Sequence, residues 1–213
     1  MDRLVIEFSD DADAITQRFN AGETQWIESG ANYNTIGDPF SFQLTPQFST
    51  TFMYFSAAKP AFANPLVRKG LTLLLPLEEM RSKELFLVPS AQLIPGIPYY
   101  PKASSLEKQD IPEGLRALES AGFPKGKGLP PIVIELPKTE TWSKISEMMK
   151  TAWKDLQVQV IIKEIDSDQY FDLLDPKEFT IASISWIGDY ADPMTFLDLW
   201  NSQSSLNRSA FAS

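Results

Sequence analysis

The residues best suited to hold a small ligand lie close together in Ser183–Trp200, within Trp186-Ile187-Gly188-Asp189-Tyr190. Asp189 offers a full negative charge. Trp186 and Tyr190 offer aromatic faces, and Tyr190 adds a hydroxyl. Gly188, beside Ile187, permits close backbone approach or a positive φ. An acid between aromatics suits a positively charged or amine-bearing ligand. Each residue also has a plainer reading. The plainer reading of Asp189, a solvated or turn-capping carboxylate, is the weaker of its two. Trp186 reads as a cleft wall or as ordinary core, and Tyr190 as a cover for the ligand or as rim packing. Asp192 precedes Pro193 and reads as a helix cap, because Asp accepts from free first-turn amides and Pro has no N–H to leave unpaired. Asp189, Asp192 and Asp198 do not read as a metal set. A helix from Pro193 carries Asp198 almost two turns away from the loop, and no other hard ligand is near in sequence.

The elements that must position this stretch are a strand before it and a helix after it. Phe179–Ser185 is apolar and rich in Ile, as a buried strand is. Met194, Phe196, Leu197, Leu199 and Trp200 recur as on a helix face. In an open α/β sheet, ligands sit beyond the carboxyl ends of the strands, which is where Trp186–Tyr190 falls. Upstream, Ile132–Leu136 and Val158–Ile165 read as strands. Trp142–Leu156 reads as the clearest helix, with Ile145, Met148, Met149, Ala152, Trp153 and Leu156 on one face. A short helix over Asp168–Leu174 completes a β-α-β-α-β order, expected to form parallel strands with right-handed crossovers.

The first half is more broken. Residues 4–8 alternate weakly and read as a strand, and Glu23–Ile27 as a second. Between them Ser9-Asp10-Asp11 caps a helix carrying Ala12, Ile15 and Phe19, stopped at Gly22. Phe40–Leu44 and Thr50–Ser56 read as strands, with loop over Gly30–Pro39. Asn64-Pro65 starts a helix that Pro76 ends. Residues 86–105 are proline-rich loop, held to the domain by Tyr99-Tyr100 and aliphatic neighbours. Pro112–Ala121 is a short helix ended by Gly122.

Composition removes several functions. The 213 residues include no Cys and no His. Ser-His-Asp, Cys-His and Cys-ligated zinc sites therefore cannot be built from this chain. A net charge of −9 argues against nucleic acid, whose phosphates require clustered Lys and Arg. Lys125-Gly126-Lys127-Gly128 lacks the spacing of a phosphate loop and precedes a strand, so it reads as a solvated turn. No cofactor is implied. The apolar run after Met1 is too short for a secretory core or a membrane span.

Four stretches resemble the peptide-type solute-binding proteins of ABC importers, solute-binding protein family 5. Asp13–Gln25 is similar to the family's helix ending in a Gly-Glu turn, with Gln25 where Asp is common. Tyr54–Arg68, with Lys59-Pro60-Ala61-Phe62 and Val67-Arg68-Lys69-Gly70-Leu71, resembles its Pro-Phe…Val-Arg block. Gly70 and Pro76-Leu77 depart from that block and imply a shortened helix. Gly114–Pro124 resembles a third block, and Trp186–Leu197 resembles the Trp-x-x-Asp-Tyr-x-Asp-Pro-x-x-Phe-Leu segment. The resemblance implies a type II periplasmic-binding-protein-like α/β fold, its mixed or parallel sheet flanked by helices. It implies that residues 1–213 are one ligand-binding lobe whose partner lobe is absent, beginning and ending near the hinge. It further implies a periplasmic or lipid-anchored location, an ABC permease as membrane partner, and peptide, oligopeptide above all, as ligand. Asp189 would take the ligand's α-ammonium. Members that bind a nickel chelate, haem or sugar, and a small α/β hydrolase or transferase using carboxylate chemistry, stand as alternatives.

Overall fold

The computed structural model describes residues 3–28, 30–41, 47–81, 89–97, 100–101 and 107–211. They form two compact units, Met1–Pro46 and Gln47–Ser213. Among the described residues no helix is long and apolar enough to cross a membrane.

The first unit is built on helix α1, Ala12–Asn20. The Asp11 carboxylate accepts from the Ala14 amide at 2.9 Å, the expected cap. Polar side chains, more than an apolar core, tie the following loop to this helix. Buried Thr16 donates to the Ala12 carbonyl and accepts from the Asn32 amide at 2.8 Å. Asn20 bonds both the Thr35 carbonyl and the Gly37 amide at 2.9 Å.

Three expected strands of this unit are corrected or fall outside the description. Residues 4–8 form no strand, and Leu4, Val5, Ile6 and Phe8 are exposed. A strand needs a second backbone to pair with, and no described residue supplies one. Glu23–Ile27 is not a strand either. The Glu23 and Thr24 amides turn back to the Arg18 carbonyl at 3.0 and 3.3 Å, finishing α1. Phe40 and Ser41 belong to a 3-10 turn over Pro39–Ser41, and Phe42–Leu44 lie outside the described residues. Parts of the proline-rich loop, Tyr99 included, lie outside them too.

The second unit is a four-stranded mixed sheet in the order β1-β4-β2-β3. The strands are β1 (Ser49–Phe55), β2 (Ile132–Pro137), β3 (Val160–Ile165) and β4 (Ile181–Ile187). β2 is parallel to β3 and to β4, while β1 runs antiparallel to β4 from Ser49↔Ile187 to Phe55↔Ile181. Because side chains alternate along a strand, the sheet has two different faces. Ile132, Ile134, Leu136 and Ile181 enter the main core. There they meet Val67 and Leu71 of α3 (Pro65–Leu73) with Leu74 at its C-cap, Leu118 of α5 (Ile111–Ser120), and Ile145, Met149 and Trp153 at α6 (Glu140–Ala152). The other face carries Tyr54, Phe179, Ala182, Ile184 and Leu199. Two single-turn helices, α2 (Pro60–Ala63) and α4 (Leu77–Met80), flank α3.

The helix starts follow their caps. Asn64 Oδ1 accepts from the Leu66 amide, and Asp110 Oδ1 from the Glu113 amide, each at 2.9 Å. Gly70 does not interrupt α3, which runs unbroken to Leu73. A Cβ on Gly70 would lie 2.9 Å from the Gly114 carbonyl oxygen, and one on Gly114 would lie 3.0 Å from that of Gly70. The two glycines let α3 and α5 pack backbone against backbone, which offsets the propensity cost of glycine in a helix.

The β2–β4 ladder is short, pairing Ile134↔Ile181 and Glu135↔Ala182. Beyond it Tyr170, on the single-turn helix α7 (Tyr170–Leu173), takes the place of the ladder. Its hydroxyl accepts from the Ser183 amide at 2.9 Å and lies 3.0 Å from the carbonyls of Glu135 and Ser183. Burial pushes this phenol above its ordinary range. Tyr170→Phe is therefore expected to cost about 1–3 kcal/mol, the desolvation of polar groups left unpaired. Hydrogen exchange should show the Ser183 amide losing protection ahead of its neighbours in β4. A variant as stable and as protected as the wild type would contradict this role.

Candidate functional site

β4 ends at Ile187, and the chain turns through Gly188–Asp192 into α8, Met194–Leu197. This helix is shorter than the apolar spacing suggests. Past Leu197 the bonds run from Leu199 to Phe196 and from Trp200 to Leu197, three residues back, so the winding tightens to a 3-10 type. Asp192 does cap it, its Oδ1 accepting from the Met194 amide at 2.8 Å and its carbonyl from the Thr195 amide at 3.2 Å.

Backbone bonds fasten the turn on both sides. The Gly188 amide donates to the Phe48 carbonyl at 2.8 Å, joining the loop to the residue before β1. A Cβ on Gly188 would lie 2.2 Å from Phe48 Cε1 and 3.1 Å from Phe196 Cε2. Those two rings pack edge to face at 5.2 Å. The absent side chain of Gly188 is thus filled by an aromatic ring. The Asp189 amide donates to Thr195 Oγ1 at 3.0 Å, and the Asp192 amide to the Tyr190 carbonyl at 2.8 Å.

Of the five residues singled out from the sequence, Trp186 and Ile187 close β4, two residues past the expected strand end at Ser185, while Gly188, Asp189 and Tyr190 stand in the turn, and their surroundings differ. Trp186 is half-buried against the Tyr54–Ile184 face, and its Nε1 donates to the Thr195 carbonyl at 2.7 Å. Ile187 and Tyr190 are exposed, as is Met194 just beyond them. Asp189 is exposed, and no described residue donates to its carboxylate or pairs with it. The turn thus presents an open anionic group rimmed by apolar side chains. No group of three His, Cys, Asp or Glu side chains converges among the described residues.

Two residues that shape the turn have weak or no signal in the sequence. Phe48 meets Gly188 only through the β1–β4 pairing, across more than a hundred residues. Thr195 has a faint one, a hydroxyl residue three places after a capping Asp, which a helix first turn tolerates without needing it.

Comparison with known proteins bears on the family and the fold. Residues 1–208 match the family described as bacterial extracellular solute-binding proteins, family 5 Middle. The periplasmic murein peptide-binding protein MppA of Escherichia coli is 28% identical over an alignment 211 positions long, which covers 93% of this chain and 39% of that protein. The oligopeptide-binding protein OppA of Bacillus subtilis is 28% identical over 101 residues, 47% of this chain and 18% of its own length. Among solved structures, a periplasmic oligopeptide-binding protein from Borrelia burgdorferi superposes with a TM-score of 0.74 at 22% identity, covering 96% of this chain and 42% of that one. The fold is thus that of type II periplasmic binding proteins. The chain spans about two fifths of the length of the E. coli and Borrelia proteins. With its family matched from residue 1 to residue 208, this chain belongs to the bacterial extracellular solute-binding proteins of family 5.

Proposed function

We propose that this chain is one ligand-binding lobe of the substrate-binding component of an ABC importer, and that the ligand is a peptide, with oligopeptides the leading class. The observation that carries the reading is Asp189. It is an exposed carboxylate with no partner among the described residues, held at the carboxyl end of β4 by backbone bonds on either side. A free peptide supplies the complementary group, its α-ammonium, and the apolar rim of Ile187, Tyr190 and Met194 suits side chains beside it.

The segments by which the relatives are longer supply the second wall. Closure of two lobes about a hinge then removes water from both. The whole protein acts outside the cytoplasm, in a periplasm or anchored at the cell surface, and delivers its ligand to a membrane permease. It performs no catalysis, in keeping with a solute-binding family and a sequence without His or Cys.

Mass spectrometry of small molecules released on denaturing the purified full-length protein tests the ligand class. Short peptides with free amino termini are the expected result. A nickel chelate, haem or sugar recovered in stoichiometric amount would replace the peptide assignment.

A further inference from the structure

We infer that Thr195 is a positioning residue for the ligand site, setting where the Asp189 carboxylate and the Trp186 ring stand. The inference rests on the reading of Asp189 as the group that meets a ligand amine.

Thr195 is 3% exposed, a polar residue in an apolar setting beside buried Phe196. Both of its acceptors are used, and each serves a different element. Oγ1 accepts from the Asp189 amide at 3.0 Å, and the carbonyl accepts from Trp186 Nε1 at 2.7 Å. Its own amide donates to the Asp192 carbonyl at 3.2 Å. One residue therefore links the strand end, the middle of the turn and the helix cap. The branched Cβ restricts χ1, so the hydroxyl is held in one direction with little freedom to lose.

Without Oγ1 the Asp189 amide loses its partner. The turn is then fastened by the Gly188–Phe48 bond before it and the Asp192 cap after it, with the acid free to move between them. The Trp186 bond survives, since it goes to the backbone. Loss of the hydroxyl should thus act on the acid and spare the indole. Apolar contacts of a ligand should persist while its charge-assisted contact weakens, because that bond depends steeply on geometry.

The test compares Thr195→Val, which keeps shape and removes the hydroxyl, with Thr195→Ser, which keeps it. Calorimetry on the full-length protein measures one peptide with its amino terminus free and the same peptide acetylated. The expected wild-type preference for the free amine falls about tenfold in Thr195→Val, through the free form alone, and stays within about twofold in Thr195→Ser. Hydrogen exchange should show faster exchange at the Asp189 amide in the Val variant only. A wild-type preference that Thr195→Val leaves intact overturns the inference while the amine reading stands. Equal loss for both peptide forms makes Thr195 merely structural and overturns it as well. Equal affinity of wild type for both forms overturns the amine reading itself. If Thr195→Val does not fold, the wild-type exchange decides: an unprotected Asp189 amide overturns the inference, and a protected one with free-amine preference retained in Thr195→Ser supports it.

Discussion

Asp189→Asn in the full-length protein is expected to weaken binding of a free-amine peptide by one to several orders of magnitude. In a closed, water-poor cleft a charge-assisted hydrogen bond contributes roughly 1.5–3 kcal/mol. Removing the carboxylate charge also strands the ammonium away from water, which raises the cost to roughly 3–5 kcal/mol. At 1.4 kcal/mol per tenfold, that range spans one to more than three decades of affinity. The substitution is nearly isosteric. The Asp189 backbone amide, which makes the bond to Thr195, is unaltered. With the side chain exposed and unpaired among the described residues, stability should change by less than about 0.5 kcal/mol. Affinity then reports the charge alone. Acetylating the peptide removes the other half of the same pair, so the two changes together should cost less than their sum. Strict additivity, or an unaltered affinity in Asp189→Asn, would remove the acid from the site.

How far such a site can be read from sequence depends on how local its determinants are. β2, α6, β3 and β4 were legible because periodicity and caps are written within a dozen residues. Asn64-Pro65, Asp110 and Asp192 each cap where a side-chain oxygen meets a free amide. Residues 4–8 and 23–27 were misread for a related reason. Alternation reports which side of a chain is apolar, and it does not report whether a partner strand exists. At 23–27 the end of α1 claimed the amides instead.

The turn shows the same divide. Asp189, Trp186 and Tyr190 stood out by residue type, and the structure sets Trp186 near the end of β4 and the other two on the turn that follows it. Gly188 also stood out, but its lack of a side chain makes room for the Phe48 ring, a contact that the antiparallel β1–β4 pairing brings about. Thr195 is a single hydroxyl whose importance lies in two partners, six and nine residues earlier, that only the folded turn brings within reach.

The largest stability loss is expected at Trp153, which is 1% exposed at the end of α6 and among the largest fully buried side chains. Its ring fills the main core between α6 and α3, where Leu71, Leu118 and Met149 are fully buried. Its Nε1 donates to the Leu71 carbonyl at 3.1 Å. Leu71 stands in the last turn of α3, where carbonyls lack an intrahelical donor. The Leu75 amide that could have served it bonds Thr72 instead. The indole therefore satisfies an otherwise orphaned helix end as well as filling volume. Trp153→Ala loses both and should cost about 3–5 kcal/mol, a large part of the roughly 5–15 kcal/mol that holds a typical domain folded. Trp153→Phe keeps much of the volume and loses the N–H, so about 1–3 kcal/mol is expected, the cost of leaving a buried acceptor unpaired. Urea titration followed by far-UV circular dichroism separates the two. The Ala midpoint should fall by more than about 1 M and the Phe midpoint by clearly less. Equal midpoints for Ala and Phe would mean that ring volume contributes little and the bond to Leu71 is what matters. An Ala variant within about 1 kcal/mol of wild type would show that α6 and α3 are held together by other contacts.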